Sequence, residues 1–334
     1  MSTPLLSAVV PVYRSAATLP ELCERLSKSL ASISDDFEVI FVEDAGGDDA
    51  WDVITKLAQS DSRVKGVQLS RNFGQHAATI CGISKANGEW IVTIDDDLEQ
   101  APEFIPLLYR KAQEGFALVY GVYSQRTHAT WRNLTSEVGR RMLRAAIPNL
   151  NYDYTSFRVI QRHTAMALIG FDSPFPFVDG YLSWVTNRYA TVPVEHNSRK
   201  HSRSNYNFRK LVAHMINIFV TFSDLPLKFA TWAGLGAFLA GVLWLVTIVL
   251  RRVLGGISVS GYASIMAGII AFGGLQLLIL GILGEYLGRI FEEAKGRPLY
   301  LVAATINMNQ RGDQQPTAQN ARDMTVPMDL GSAR

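Results

Sequence analysis

The stretch Glu-Trp-Ile-Val-Thr-Ile-Asp-Asp-Asp-Leu-Glu, residues 89–99, joins a short β-branched run to a segment in which four of five residues are acidic. An earlier run, Phe37–Glu43, ends in the same way at Glu43 and Asp44. Apolar β-branched runs of this length are typical of buried strands. Acidic residues therefore follow two predicted strands directly.

The first 125 residues alternate between such runs and amphipathic stretches. The runs predict the strands Ser7–Tyr13, Phe37–Glu43, Lys65–Leu69, Glu89–Ile94 and Ala117–Val122. The stretches between them predict the helices Leu19–Leu30, Asp49–Ser60, Gln75–Ala86 and Glu103–Glu114. This order predicts an α/β fold with a mostly parallel sheet and helices on both faces. Ligands of such sheets bind beyond the carboxyl ends of the strands, where the acidic residues stand.

Composition narrows the class of protein. The chain has 334 residues, 48% of them hydrophobic and 19% charged, with a net charge of +2. A charged fraction below the usual value of about 25% argues against disorder, and the small net charge argues against a nucleic-acid partner. Cys23 and Cys81 are too few for a disulfide framework. Dinucleotide, P-loop and zinc-hydrolase motifs are missing from the sequence.

The apolar excess lies in the last third of the chain. Residues 229–250 carry no charge, and at about 1.5 Å per residue they would span about 33 Å as a helix, enough for a bilayer core of about 30 Å. A second uncharged run covers 253–284. We expect a transmembrane hairpin over 228–290, with helices at about 229–252 and 262–285. A buried helix pair of a soluble protein is the alternative.

The segments around this hairpin complete the predicted organisation. Residues 206–227 have the pattern of an amphipathic helix at the membrane interface. Residues 291–334 predict a cytoplasmic tail, disordered from about residue 303. Basic residues are more numerous on the outer flanks of the hairpin than in its loop, which predicts that both termini are cytoplasmic.

The acidic run after the fourth strand suggests a metal site. On an extended segment Asp95 and Asp97 point to the same side, and their oxygens suit Mg²⁺ or Mn²⁺ held jointly with substrate phosphates. A solvated acidic turn is the alternative. Three adjacent carboxylates repel one another, which makes a purely structural role harder to justify.

Several motifs carry a resemblance to a known family. They are Val10–Tyr13, Val42–Asp44, Leu69–His76, Ile94–Glu99, Asp153–Arg158, Ser204–Tyr206, Leu280–Ile290 and Gly296–Pro298. At these residues the chain resembles the family 2 glycosyltransferases of GT-A fold, and among them the membrane polyprenyl-phosphate glycosyltransferases. The resemblance covers about residues 5–302 and implies residues 1–205 as the GT-A domain.

The resemblance also implies roles for individual residues. The nucleotide-sugar site would comprise Pro11, Tyr13, Glu43, Asp44, Arg71, Asp95 and Asp96, with Asp44 hydrogen-bonded to the base. A Mg²⁺ or Mn²⁺ cofactor would bind Asp95, Asp97 and Glu99, and Asp95, Asp97 and Asp153 would be catalytic. The acceptor phosphate would be bound by Arg126, Arg140, Ser156, Arg158, Arg199, Arg203 and Tyr206.

Two motifs depart from the family pattern. The usual Asp-Ala-Asp-Leu-Gln reads Asp-Asp-Asp-Leu-Glu at residues 95–99, which adds the two negative charges of Asp96 and Glu99. In the basic motif before the membrane, Ser202 replaces a Gly and Asn205 a Lys. The first departure bears on the metal site and the second on the acceptor side.

The implied activity is transfer of a sugar from a nucleoside-diphosphate sugar to undecaprenyl or another polyprenyl phosphate, for modification of a cell-envelope glycan. The implied location is the cytoplasmic face of a bacterial inner membrane, and a second copy of the chain is a compatible partner. A processive polysaccharide synthase is one alternative, although the chain lacks a Q-x-x-R-W motif. A membrane subunit without enzymatic activity is the other.

Overall fold

The computed structural model describes residues 3–123, 154–171, 173–195, 225–254 and 261–308. The chain divides into two compact units. One holds a β-sheet with its surrounding helices, and the other holds two long apolar helices.

The first unit is built on an eight-stranded sheet. Its strands are β1 (Leu6–Val12), β2 (Phe37–Glu43), β3 (Val64–Leu69), β4 (Trp90–Thr93), β5 (Leu118–Tyr123), β6 (Arg158–Gln161), β7 (Tyr189–Val194) and β8 (Val302–Ile306). Its helices are α1 (Leu19–Ala31), α2 (Ala50–Ser60), α3 (Gln75–Lys85), α4 (Ile105–Ala112), α5 (Arg162–Met166) and α6 (Val178–Val185).

The strands lie in the order β7-β5-β6-β4-β1-β2-β3-β8. β6 and β8 run antiparallel to their neighbours, and the other described strands run parallel to one another. This confirms the predicted α/β class with a mostly parallel sheet, as the GT-A resemblance implies. The strands and helices predicted before residue 125 agree with the structure to within about two residues, the scatter usual for element ends.

Burial on both faces of the sheet explains why the central strands read as continuous apolar runs. All residues of β1 and β2 are buried. On one side α1 packs Leu19, Leu22 and Leu26, spaced by three and four residues, into the main core. On the other side α3 lies so close that a Cβ at Gly82 would stand 2.3 Å from the Val9 side chain.

The strand β8 corrects the prediction of disorder from residue 303. β8 pairs antiparallel with β3, Ser70 N–H donates to the Leu301 carbonyl at 2.8 Å, and the Asn307 amide donates to the Ala58 carbonyl at 2.6 Å. The polar composition of the C-terminal stretch suggested disorder, whereas five of its residues complete the edge of the sheet. Residues 309–334 of the predicted tail lie outside the described ranges.

The second unit consists of α7 (Leu225–Val253) and α8 (Tyr262–Ala294). Both helices are long and apolar enough to cross a membrane, and large apolar side chains such as Trp232 and Leu277 are about 70% exposed. Apolar surface on this scale is unfavourable in water, which indicates association with a membrane. Glu285 and Arg289, four residues apart on α8, form an ion pair at 3.1 Å. Most of the predicted interfacial helix, 206–224, lies outside the described ranges.

A buried ion pair joins two elements of the α/β unit. The Arg158 guanidinium of β6 donates to the Asp179 carboxylate of α6, and its Nε donates to Thr93 Oγ1 at 3.0 Å. The Tyr120 hydroxyl donates to the same carboxylate at 3.2 Å. Arg158 and Asp179 are 2% and 4% exposed. An arginine held in this way is not available to a lipid phosphate, so the predicted acceptor role of Arg158 does not fit its position.

This ion pair leads to a stability prediction. We expect Asp179→Ala to destabilise the α/β unit by about 3–5 kcal/mol, or roughly 10 °C in unfolding midpoint, because it leaves a buried cation unpaired. The double variant Arg158→Met, Asp179→Leu should recover most of the loss. Thermal unfolding of the full chain in detergent measures both. Asp61→Ala, which breaks an exposed pair with Arg63, serves as a control with little expected effect. An Asp179→Ala variant as stable as wild type would contradict this interpretation.

Candidate active site

Three loops meet at the carboxyl edge of the sheet. They follow β4, β1 and β2, which are neighbours in the sheet and run parallel. The loops are Ile94–Gln100 after β4, Tyr13–Thr18 after β1, and Asp44–Asp49 after β2. The predicted acidic residues of both strand ends therefore lie at one edge.

Each of these three loops contains a residue other than glycine in the left-handed region of backbone conformation. They are Arg14 with φ 58°, Ala45 with φ 49° and Leu98 with φ 62°. Such conformations cost about 1–3 kcal/mol each and cluster at functional sites. The close approach of the loops also requires Gly46, where a Cβ would stand 2.7 Å from the Arg14 backbone nitrogen.

Asp95 is held by hydrogen bonds to both of its carboxylate oxygens. Oδ2 accepts from Ser156 Oγ at 2.5 Å and from Gln100 Nε2 at 3.0 Å, and Oδ1 accepts from Gln75 Nε2 at 2.6 Å. Burial raises the pKa of Asp95 to about 6; the Ser156 hydrogen bond opposes this rise, and the charges of Asp97 and Asp96 add to it. A cation at this edge would favour the ionised form.

Asp96 points to a different loop. Its Oδ2 accepts from the Tyr13 backbone N–H at 2.9 Å and from Ser15 Oγ at 2.5 Å. Burial is the main cause that raises the pKa of Asp96. The extended strand ends at Thr93 and the chain turns at Asp96 and Asp97, so the alternation argument that placed Asp95 and Asp97 on one face does not apply.

Asp97 and Glu99 lie together in this turn. Both are half-buried, and Asp97 Oδ1 accepts a hydrogen bond from the Glu99 backbone N–H at 3.1 Å. Within the described ranges, no group of three His, Cys, Asp or Glu side chains has the arrangement of a metal site. The predicted set of Asp95, Asp97 and Glu99 is thus not preassembled. One or two carboxylates remain a sufficient protein contribution to Mg²⁺ when substrate phosphates complete its shell.

Glu43 and Asp44 hold loops rather than face solvent. Glu43 Oε1 accepts from the Gly46 N–H at 2.6 Å, and Asp44 accepts from the backbone N–H groups of Phe73 and Gly74 at 2.7 and 2.8 Å. Both acidic residues are buried, and burial raises the pKa of Asp44. The structure therefore shows Asp44 positioning the start of α3, and each of its carboxylate oxygens keeps capacity to accept a further hydrogen bond.

Exposed aromatic and basic groups border the same edge. Tyr13 is 45% exposed, with the Arg14 guanidinium 5.2 Å from its ring centre. The Arg71 guanidinium lies 4.5 Å from the Phe73 ring centre. Pro11 is buried within β1. Among the residues predicted to bind a nucleotide, Tyr13 exposes an aromatic ring to solvent and Arg71 exposes a guanidinium group.

Of the predicted acceptor residues that the structure describes, Arg158 is enclosed with Asp179 and Ser156 lies at the acidic edge of the sheet. Ser156 lies beside Asp95, and its hydroxyl proton is donated to that carboxylate while Oγ accepts from Gln100 Nε2 at 2.7 Å. Six predicted residues lie outside the described ranges: Arg126, Arg140, Asp153, Arg199, Arg203 and Tyr206.

The sequence reasoning missed the residues that hold the acidic turn. Gln100 follows Glu99 directly, so its proximity to the acidic run was a usable signal. Gln75 and Ser15 stand far from the run in sequence and gave none, because only the fold brings them to Asp95 and Asp96.

Comparison with known proteins bears on the family of the chain. Residues 7–169 match the family described as Glycosyl transferase family 2. The chain is 35% identical to an uncharacterized glycosyltransferase of Synechocystis sp., over 89% of this chain and 94% of the relative. It is 30% identical to the undecaprenyl-phosphate 4-deoxy-4-formamido-L-arabinose transferase of Proteus mirabilis, over 92% of this chain and 96% of the relative.

Among solved structures, a glucosyl-3-phosphoglycerate synthase from Mycobacterium tuberculosis is 20% identical, with a TM-score of 0.49 over 66% of this chain and 79% of that chain. This likeness is too distant to support a function. The relatives that match nearly the whole chain decide the assignment: the protein is a glycosyltransferase and belongs to family 2.

Proposed function

We propose that the protein transfers a sugar from a nucleoside-diphosphate sugar to a polyprenyl phosphate at the cytoplasmic face of a bacterial inner membrane. The observation that carries this proposal is the acidic turn Asp95–Glu99 beside the exposed Tyr13 ring, in a chain that also contains two exposed apolar helices. Similarity to undecaprenyl-phosphate transferases extends over 92% of the chain, which supports a polyprenyl acceptor.

The donor half of the site uses residues that follow the carboxyl ends of β1, β3 and β4. The exposed face of Tyr13 suits stacking with a nucleobase, and the Arg71 guanidinium suits the diphosphate. Asp97 and Glu99 would hold Mg²⁺ or Mn²⁺ together with the diphosphate, in agreement with their half-buried position in one turn. When bound, the cation supplies positive charge that stabilises the departing nucleoside diphosphate.

The acceptor half needs a nucleophile and a basic pocket. A phosphate monoester is largely ionised near neutral pH, so its oxygen attacks the sugar carbon without a strong general base. Direct displacement inverts the configuration at that carbon. We assign the basic pocket to Arg126, Arg140, Arg199 and Arg203, with Tyr206 beside them. Asp153 would orient the acceptor.

Chain connectivity supports the proposed membrane topology. The segment after α8 returns to the α/β unit and supplies β8 to its sheet. If α7 and α8 each cross the bilayer, the chain leaves and re-enters the α/β unit on the same side of the membrane. The excess of basic residues on the outer flanks of the hairpin assigns that side to the cytoplasm.

The proposal is tested by transfer of label from radioactive nucleotide sugars to undecaprenyl phosphate, with product recovered in organic solvent. Full-length protein in detergent is incubated with each sugar of a panel and Mg²⁺ or Mn²⁺. We expect lipid-soluble label with at least one donor. Hydrolysis without lipid product, across the whole panel, would contradict the proposed acceptor.

Metal use is tested at the acidic turn. We expect Asp97→Asn to abolish transfer without lowering the unfolding midpoint, because it removes a charged ligand from a half-buried turn. Excess EDTA should abolish wild-type transfer, and added Mg²⁺ or Mn²⁺ should restore it. Full wild-type activity in EDTA would exclude a metal role.

Ser156 Oγ donates to Asp95, although the sequence grouped Ser156 with Arg203 on the acceptor side. Because the Ser156 hydroxyl donates a hydrogen bond to Asp95, we expect Ser156→Ala to raise the Michaelis constant for the nucleotide sugar. Arg203→Ala should instead raise the constant for the lipid phosphate by about 10- to 150-fold, the effect of about 1.5–3 kcal/mol for a charged hydrogen bond. Steady-state kinetics with each substrate varied in turn measures both. The opposite pairing of residues and substrates would refute the assignment.

Topology is tested by cysteine labelling in intact cells. The two native cysteines are buried, so an introduced cysteine dominates the signal. We expect Ser258→Cys, in the predicted hairpin loop, to react with a membrane-impermeant maleimide, and Ser332→Cys to react only after permeabilisation. Labelling of Ser332→Cys from outside would rule out two crossings with a cytoplasmic C-terminus.

A further inference from the structure

Asp96 occupies the position at which the family pattern has Ala, and the structure shows where its carboxylate goes. Oδ2 accepts hydrogen bonds from the Tyr13 backbone N–H at 2.9 Å and from Ser15 Oγ at 2.5 Å. The Asp96 backbone carbonyl accepts a third bond, from Thr18 Oγ1 at 2.6 Å. Asp96, in the loop after β4, thus accepts three hydrogen bonds from the loop after β1, and these bonds join the two loops.

The segment that Asp96 holds is one that would not keep its shape by itself. Arg14, between the two residues bound by Oδ2, is in the left-handed backbone region with φ 58°. A non-glycine residue stays there only when its surroundings impose the conformation. The opposite side of the segment is held by the loop after β2, where Asp48 accepts from the Ala16 N–H at 3.1 Å.

The consequence concerns the orientation of Tyr13. Its backbone N–H is fixed by Asp96, while its side chain is 45% exposed at the end of β1. The backbone that carries an exposed ring limits the directions the ring can take, so the bond from Tyr13 N–H to Asp96 restricts where the ring lies at the end of β1. A flat surface held in advance binds a flat ligand at a lower entropic cost than a mobile one.

We propose that Asp96 is a positioning residue for the nucleotide, which it serves by holding the Tyr13–Ser15 turn, and that it is not a ligand of the cation. This inference rests on the proposed function, since it takes the nucleotide of the donor to lie on Tyr13. The geometry favours this role over a metal role, because Asp96 Oδ2 already accepts from two donors of the β1 loop, whereas Asp97 Oδ1 accepts from the Glu99 backbone N–H of its own turn.

The experiment measures nucleotide and metal affinity separately. Full-length protein in detergent is titrated by calorimetry with UDP, GDP, CDP and ADP, and the tightest ligand of the wild type is used thereafter, with and without Mn²⁺. The variants are Asp96→Ala, Asp96→Asn and Ser15→Ala. Asp61→Ala is the matched control, because Asp61 also accepts from a backbone N–H and a side chain, those of Arg63, in the loop before β3.

We expect Asp96→Ala to weaken nucleotide binding by about tenfold or more, because a charge-assisted bond and its geometry are lost. Ser15→Ala, which removes one of the two Oδ2 donors, should weaken it in the same direction by less. Asp96→Asn keeps the shape and an acceptor oxygen and should fall between wild type and Asp96→Ala. The Mn²⁺ midpoint, which is the Mn²⁺ concentration at half of the metal-dependent gain in nucleotide affinity, should equal that of the wild type. Asp61→Ala should equal the wild type in both nucleotide affinity and Mn²⁺ midpoint.

Three outcomes overturn the inference. If Asp96→Ala shifts the Mn²⁺ midpoint and leaves metal-free nucleotide affinity unchanged, Asp96 is a metal ligand. If Ser15→Ala has no effect while Asp96→Ala does, Asp96 contacts the nucleotide directly. If Asp96→Ala binds nucleotide as wild type does, the turn does not depend on it. A wild-type protein that binds none of the four nucleotides would instead contradict the proposed function, and this inference with it.

Discussion

The arrangement of this edge of the sheet follows from one electrostatic constraint, which is that three adjacent carboxylates must be accommodated at the end of β4. Side by side and partly removed from water, they would repel one another and take up protons. The fold distributes them instead. Asp95 turns to donors from α3 and the segment before β6, and Asp96 turns to the β1 loop. Asp97 stays in the turn with Glu99. The loops around the site are therefore shaped by the donors that these carboxylates require.

The buried acidic residues at the end of β2 likewise accept hydrogen bonds, from different partners. Asp44 accepts from backbone N–H groups just before α3 and Glu43 from one of its own loop, which joins the end of β2 to the start of α3. The strained backbone at Arg14, Ala45 and Leu98 lies in the loops that meet at this edge of the sheet. A rigid edge of this kind is what a transferase needs, because a misplacement of about 1 Å can cost about 100-fold of the benefit of orienting two substrates.

Arg158 shows that burial can rule out a binding role that a sequence motif suggests. Arg158 matches an acceptor-side motif in sequence, yet its guanidinium is enclosed with Asp179, Tyr120 and Thr93. Desolvation makes such a cation dependent on its partner, so its contribution is to the packing of β6 against α6. In the proposed reaction, a phosphate at the membrane surface would be bound by other arginines of the chain.

The sequence by itself determined the α/β class, the strands and helices before residue 125, the two apolar helices and the family, because periodicity and local motifs record these directly. It also located the acidic turn. Only the tertiary structure decided that Val302–Ile306 completes the sheet, that Asp95 and Asp96 face different loops, and that Gln75, Ser15 and Ser156 hold them. Contacts of this kind join residues up to 249 positions apart, as between Asn307 and Ala58, and hydrogen bonds over such separations depend on packing that no local pattern encodes.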